Sequence, residues 1–135
     1  MTARRRDERG TATAFVVGMT VVLLACAGLV VDGGTAINAR MKLADDVEQA
    51  ARAGAQRLDL VTLRSTGVVR LDEQAAEQSA RGYVVARGYT SGAVVVDGDS
   101  VTVTADDVVT TRLLNLIGID TFEVSATATA EATTQ

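Results

Sequence analysis

Four features of the chain carry residue types that can do chemistry: the acidic pairs Asp45/Asp46 and Asp106/Asp107, the triplet Gly98-Asp99-Ser100, and the single thiol of Cys26. Paired carboxylates can bind a hard cation, but a calcium loop supplies roughly six to eight oxygen ligands and neither pair comes with such a set. Both pairs are therefore expected to be solvated, with no metal site. A nucleophilic Ser100 would need a strand-turn-helix elbow and a base. The chain contains no His, so neither a Ser-His-Asp nor a Cys-His arrangement exists, and the triplet reads as a hairpin turn. Cys26 lies in an apolar segment and reads as a small residue facing lipid or another helix. One cysteine allows no internal disulfide. Gly33, Gly34 and Gly54 do not form a dinucleotide or phosphate-loop pattern. No catalytic, cofactor-binding or metal-ligating residue is assigned, and the expectation is a chain with no cofactor, no small-molecule substrate and no enzymatic activity.

The remaining question is what such a chain anchors and presents. Thr11 to Val31 is an apolar run of 21 residues without a charge, about the 20 needed to cross a bilayer as a helix. Arg4, Arg5, Arg6 and Arg9 flank its first end only. The positive-inside bias then puts residues 1–10 in the cytoplasm as a basic tip, residues 11–31 across the membrane as a single pass, and residues 32–135 outside. The body is acidic, with 15 acids and 9 bases from residue 32 onward, and the chain has two Tyr, two Phe and no Trp. It offers neither a phosphate-neutralising patch nor a stacking platform, which argues against nucleic acid as a partner. Two cleavage fates compete with a retained anchor: a secretory signal ending at Ala27, and a lipoprotein signal at Cys26. Gly28 to Val31 extend the apolar run past both cuts, and Leu24 before Ala25 fits the lipoprotein pattern poorly, so a retained anchor is expected. Ala14 and Gly18 form a small-xxx-small pair that would let another helix approach.

Asp32 is costly inside lipid and so is expected to mark the outer interface, with Gly33 and Gly34 weakening the helix into a hinge. Helical spacing then resumes. Ile37, Met41, Ala44, Val47, Ala51, Ala55 and Leu58 recur at intervals of three and four, which predicts an amphipathic helix continuing from the anchor. Its other side, with Arg40, Lys42, Asp45, Asp46, Glu48 and Arg52, is expected to meet water, Glu48 and Arg52 pairing at i, i+4.

Beyond Leu58 the pattern predicts a small α+β module. Residues 60–70 read as a loop with some extended character, followed by a helix with Asp72 as N-cap and Gly88 as its stop. Asp97 and Gly98 suit a tight turn between valine-rich strands, Val101, Val103 and Ala105 alternating with Thr102 and Thr104. A short helix ending at Gly118 precedes a third strand in which Phe122, Val124, Ala126, Ala128 and Ala130 alternate with polar residues. A three-stranded antiparallel sheet would bury that face on the first helix, since neither element can do so alone.

The segment "ERGTATAFVVGMTVVLLACAGLVVDGGTAINARMKLADDVEQAARAGAQ", residues 8–56, resembles the N-terminal part of the TadE/TadG-like family of the Flp (tight adherence) pilus-assembly system. The likeness lies in the Glu-Arg-Gly opening, the single apolar span, Asp32-Gly33-Gly34 at its outer end and the small-residue helix through "ADDVEQAARAGA". The compact form with a terminal "VSATATAEA" strand is similar to short actinobacterial members, and the Ala-rich, Arg-over-Lys composition agrees with a GC-rich genome. The resemblance implies a pilin-like fold and a membrane-anchored, pseudopilin-like accessory protein of pilus assembly or secretion. Its partners would be the membrane and other pilin-like or pilus-assembly proteins, copies of itself included. The alternative from another class is an exported cell-envelope lipoprotein or binding module. Prepilin-type processing follows a Gly with Glu five residues on, whereas the fifth residue after Gly10 is Phe15. Asp32 is no substitute, being at the opposite end of the span. That departure leaves two outcomes open, cleavage after Gly10 or an unprocessed bitopic protein nearer the TadG-like pattern.

Overall fold

A computed structural model describes residues 8–89 and 91–133, apart from the side chains of Glu8, Arg9 and Ser91. The basic tip at Arg4, Arg5 and Arg6 lies outside the described residues. In chain order the elements are α1 (Glu8–Ala55), α2 (Leu60–Thr66), α3 (Glu73–Ala86), β1 (Ser91–Asp97), β2 (Ser100–Thr110), a 3-10 turn (Leu114–Ile117) and β3 (Thr121–Glu131). The strands form one sheet in the order β1-β2-β3. The fold is thus α+β, a long N-terminal apolar helix with a small three-stranded antiparallel sheet. The chain divides into two compact units. One comprises the residues through Thr35 with Thr110–Thr121, the other Ala36–Val109 with Phe122 onward.

The second unit holds the hydrophobic core. Leu43, Val47, Ala50 and Ala51 of α1 meet Ala76, Ala80 and Val84 of α3, Val101, Val103 and Ala105 of β2, and Val124 of β3. The alternation expected along β2 and β3 holds: Val101, Val103 and Ala105 are fully buried and Val124 nearly so. On the opposite face Thr102 pairs with Thr129 at 2.8 Å and Thr104 with Thr127 at 2.9 Å, hydroxyl to hydroxyl across the strands. The expected helical stripe holds at Val47, Ala51 and Ala55, which are buried, but not at its start. Ile37 and Met41 are each 63% exposed and Ala44 is exposed, whereas Leu43, Ala50 and Gly54 face inward. A Cβ on Gly54 would stand 3.0 Å from Val101 Cγ1 and 3.1 Å from the Ala76 carbonyl oxygen, so α1 comes close to β2 and α3 at a residue without a side chain.

Three local expectations are corrected. α1 runs unbroken through Gly33 and Gly34; two glycines cost roughly 1 kcal/mol each in helix propensity, too little to break a long cooperative helix. Residues 60–66 are helix rather than loop, because Asp59 accepts from the Val61 and Thr62 amides at 3.0 and 3.1 Å and Gly67 closes the helix at φ +72°. The β1–β2 turn lies one residue later than expected. Asp97 pairs with Ser100, so Gly98 and Asp99 are the central residues and Gly98 takes φ +62°, the position at which a type II′ turn needs glycine. Elsewhere the reading holds. Asp72 accepts from the Ala75 amide at 3.0 Å to start α3, and Gly88, at φ +86°, follows its last turn.

Candidate membrane anchor

Apolar side chains dominate α1 from Phe15 to Val31, and nearly all of them are exposed. No other described helix is long and apolar enough to cross a membrane; α1 qualifies by length and composition, with almost none of its most apolar stretch buried. Cys26 is exposed along it. Nothing outside the helix's own backbone stands within 4 Å of a Cβ built at Gly18, so that side of the small-residue pair is open. Phe15 is also exposed.

Asp32 breaks the apolar pattern, and its surroundings differ from a solvated interface residue. It is 2% exposed. One carboxylate oxygen accepts from the Arg112 amide at 2.8 Å; the other accepts from Leu113 and Leu114 at 2.9 and 2.7 Å. A buried carboxylate is tolerated when hydrogen bonds replace its lost hydration, and three backbone donors do that here. The residues it holds begin the loop between β2 and β3. The loop is closed at its base, where Thr111 N donates to Asp120 O at 2.9 Å and the Thr111 hydroxyl to the Ile119 carbonyl. Just beyond the clasp, Leu114 packs on Gly28, where a Cβ would come 3.1 Å from Leu114 Cδ2. Leu113, Leu114, Leu116 and Ile117 share an apolar cleft with Val21, Leu24 and Ala25 of α1.

The acidic pairs behave differently from one another. Asp46, expected on the water-facing side, is buried. It accepts from Arg87 Nη1 at 2.5 Å and from the Tyr89 hydroxyl at 2.9 Å, and Arg87 also donates to the Tyr83 hydroxyl at 2.7 Å. The face of α1 that turns Leu43 and Ala50 inward carries Asp46 with them. Burial, and then the Asp46 carboxylate, push the Tyr89 phenol up to about 12. Asp45 is exposed. Asp106 and Asp107 line a shallow cleft with Glu123. Among the described residues no group of three or more His, Cys, Asp or Glu converges as a metal site. Glu48 and Arg52 form the expected exposed pair.

Residues 10–57 match the family model Tad, TadE/G-like Flp pilus assembly. No curated protein and no solved structure matches the chain. The Tad match covers α1 almost entirely, with Asp32, Gly33, Gly34 and Asp46 inside it. The clasped loop Thr111–Asp120 lies outside the Tad segment. Sequence reasoning singled out Asp32 but missed its partners, which are some 80 residues away. The available signal was "LLNLIGI", residues 113–119, in which Asn115 is the only polar side chain. That is an apolar stretch for a link between two strands.

Proposed function

We propose that the chain is a membrane-anchored, pseudopilin-like accessory subunit of Flp pilus assembly or secretion, acting through protein contacts rather than catalysis. Residues 1–10 form its cytoplasmic tip, residues 11–31 its single transmembrane helix, and residues 32–135 its exported module. The observation that carries this reading is the match over residues 10–57, which takes in both the apolar run and its continuation. Two features support it. The arginines before the run orient it with the N-terminus inside. Ile37 and Met41 keep an apolar strip open on the part of α1 beyond the run, where another pilin-like helix, including that of a second copy, would pack.

A reporter active only outside the cytoplasm, fused after Gln135, should work, and the mature N-terminus should fall before Gly10 or at Thr11. A chain beginning at Gly28, or at a lipidated Cys26, would end the anchor reading. In-cell crosslinkers at Gly18 or Asn38 should capture the chain itself or another pilin-like protein, and deletion of the gene should reduce surface pili or adherence. Monomer-only crosslinking together with normal pili in the deletion strain would refute the assembly role.

A further inference from the structure

The Thr111–Asp120 loop is an apolar hairpin end with nothing of its own unit over its tip. Leu116 is 82% exposed and Ile117 56%, and Leu113 and Ile119 are also exposed. In water such a tip is unfavourable, since its large aliphatic side chains are left out of an apolar environment. Its position supplies the reason. The loop packs on α1 at Val21, Leu24, Ala25 and Gly28, inside the apolar run, so whatever medium bathes that stretch of α1 bathes the loop. Leu24 is eight residues before Asp32 in the sequence, about 12 Å along the helix axis at about 1.5 Å per residue. That is within the roughly 15 Å of one leaflet's hydrocarbon.

Seven of the loop's backbone amides are paired within the protein. A segment entering hydrocarbon must satisfy its peptide groups internally. Arg112, Leu113 and Leu114 donate to Asp32. Leu116 donates to Leu113 O, Gly118 to Asn115 O, Ile119 to Leu114 O and Thr111 to Asp120 O. The charged side chains Arg112 and Asp120 flank the apolar stretch, leaving Asn115 as the one polar side chain between them. We propose that this loop is a second membrane contact, inserting Leu113, Leu116, Ile117 and Ile119 among the acyl chains of the outer leaflet beside the chain's own α1, with Asp32 as the clasp that holds it there. The proposal rests on the transmembrane reading of α1.

The test uses the full chain in phosphatidylcholine/phosphatidylglycerol vesicles, with Cys26→Ala and one new cysteine at a time carrying an environment-sensitive fluorophore. Leu116→Cys and Ile117→Cys change exposed residues and leave the clasp intact. Leu23→Cys reports the anchor and Gln78→Cys the water-facing surface of α3. Probes at Leu116 and Ile117 should be quenched by lipids carrying a nitroxide on the acyl chain and shielded several-fold from aqueous iodide relative to the Gln78 probe. Iodide quenching at Leu116 and Ile117 as strong as at Gln78, with the Leu23 probe still quenched by lipid, would overturn the insertion and leave the anchor standing. Shielding from both quenchers would mean a protein covers the loop, which also overturns it. Loss of lipid quenching at Leu23 as well would remove the anchor reading itself.

Discussion

Replacing Arg87 with Met removes one charge from a pair that is buried at one end and open at the other. The Asp46 side chain is 8% exposed and that of Arg87 45%. Breaking a fully buried ion pair from one side costs about 3–5 kcal/mol, because the remaining charge is stranded. An exposed pair is worth about 0.2–1 kcal/mol. Arg87→Met keeps the aliphatic stem but leaves the Asp46 carboxylate with the Tyr89 hydroxyl alone, so the loss should fall between those limits, at about 1.5–3 kcal/mol. In a domain of about 100 residues, 1 kcal/mol corresponds to about 4–8 °C, which predicts a fall in Tm of about 6–24 °C. Asp46→Asn should cost less, about 1 kcal/mol, because the amide oxygen still accepts from Tyr89 and Arg87 can turn to water. The double variant should then cost less than the two singles together. Circular dichroism melts of the full chain in detergent micelles at neutral pH would measure all three. Arg52→Met, whose partner Glu48 is also half exposed, is the control and should cost under about 0.5 kcal/mol. A melt of Arg87→Met within about 2 °C of the parent, or a greater loss from Asp46→Asn, would refute the claim that a stranded carboxylate sets the penalty.

Tyr89 gives the stability of the module an alkaline limb. Its folded pKa of about 12 lies above its ordinary 10.0, so the contribution is complete below pH 10 and is lost as the pH rises towards 12; Tyr89→Phe should flatten denaturation free energy over that window, and an unchanged slope would contradict the assignment. Gly54→Leu should cost about 1–3 kcal/mol by overpacking against Val101 and the Ala76 carbonyl, read as a lower denaturation midpoint with unchanged m. Val47→Asp places an unpaired charge at a site 1% exposed and should abolish the cooperative melt, a loss of several kcal/mol. Thr127→Asp gives up only a hydroxyl pair with Thr104 and should cost under about 1 kcal/mol.

Much of this protein is written locally. The uncharged run, the arginines before it, Asp72 and Gly88 around α3, the turn at Gly98 and the alternation in β2 and β3 all depend on a residue and its near neighbours, through hydropathy, capping and backbone conformation. Those signals survive without knowledge of the fold, and so α3, the strands and their buried faces could be assigned in advance, whereas α2 reads as a loop. The inward face of α1 could not. Ile37, Met41 and Ala44 fit a helical stripe as well as Leu43, Ala50 and Gly54 do, and only packing against β2 and α3 selects the second set, with Gly54 at a point where a Cβ would crowd Val101. Asp46 became a buried partner for Arg87 and Tyr89 on that same face. Asp32 shows the difference most clearly. Its charge at the end of an apolar run was visible in the sequence, but the three amides that make burial tolerable belong to residues 112–114. Backbone amides carry no side-chain signature, so only the tertiary structure could join these three to the Asp32 carboxylate.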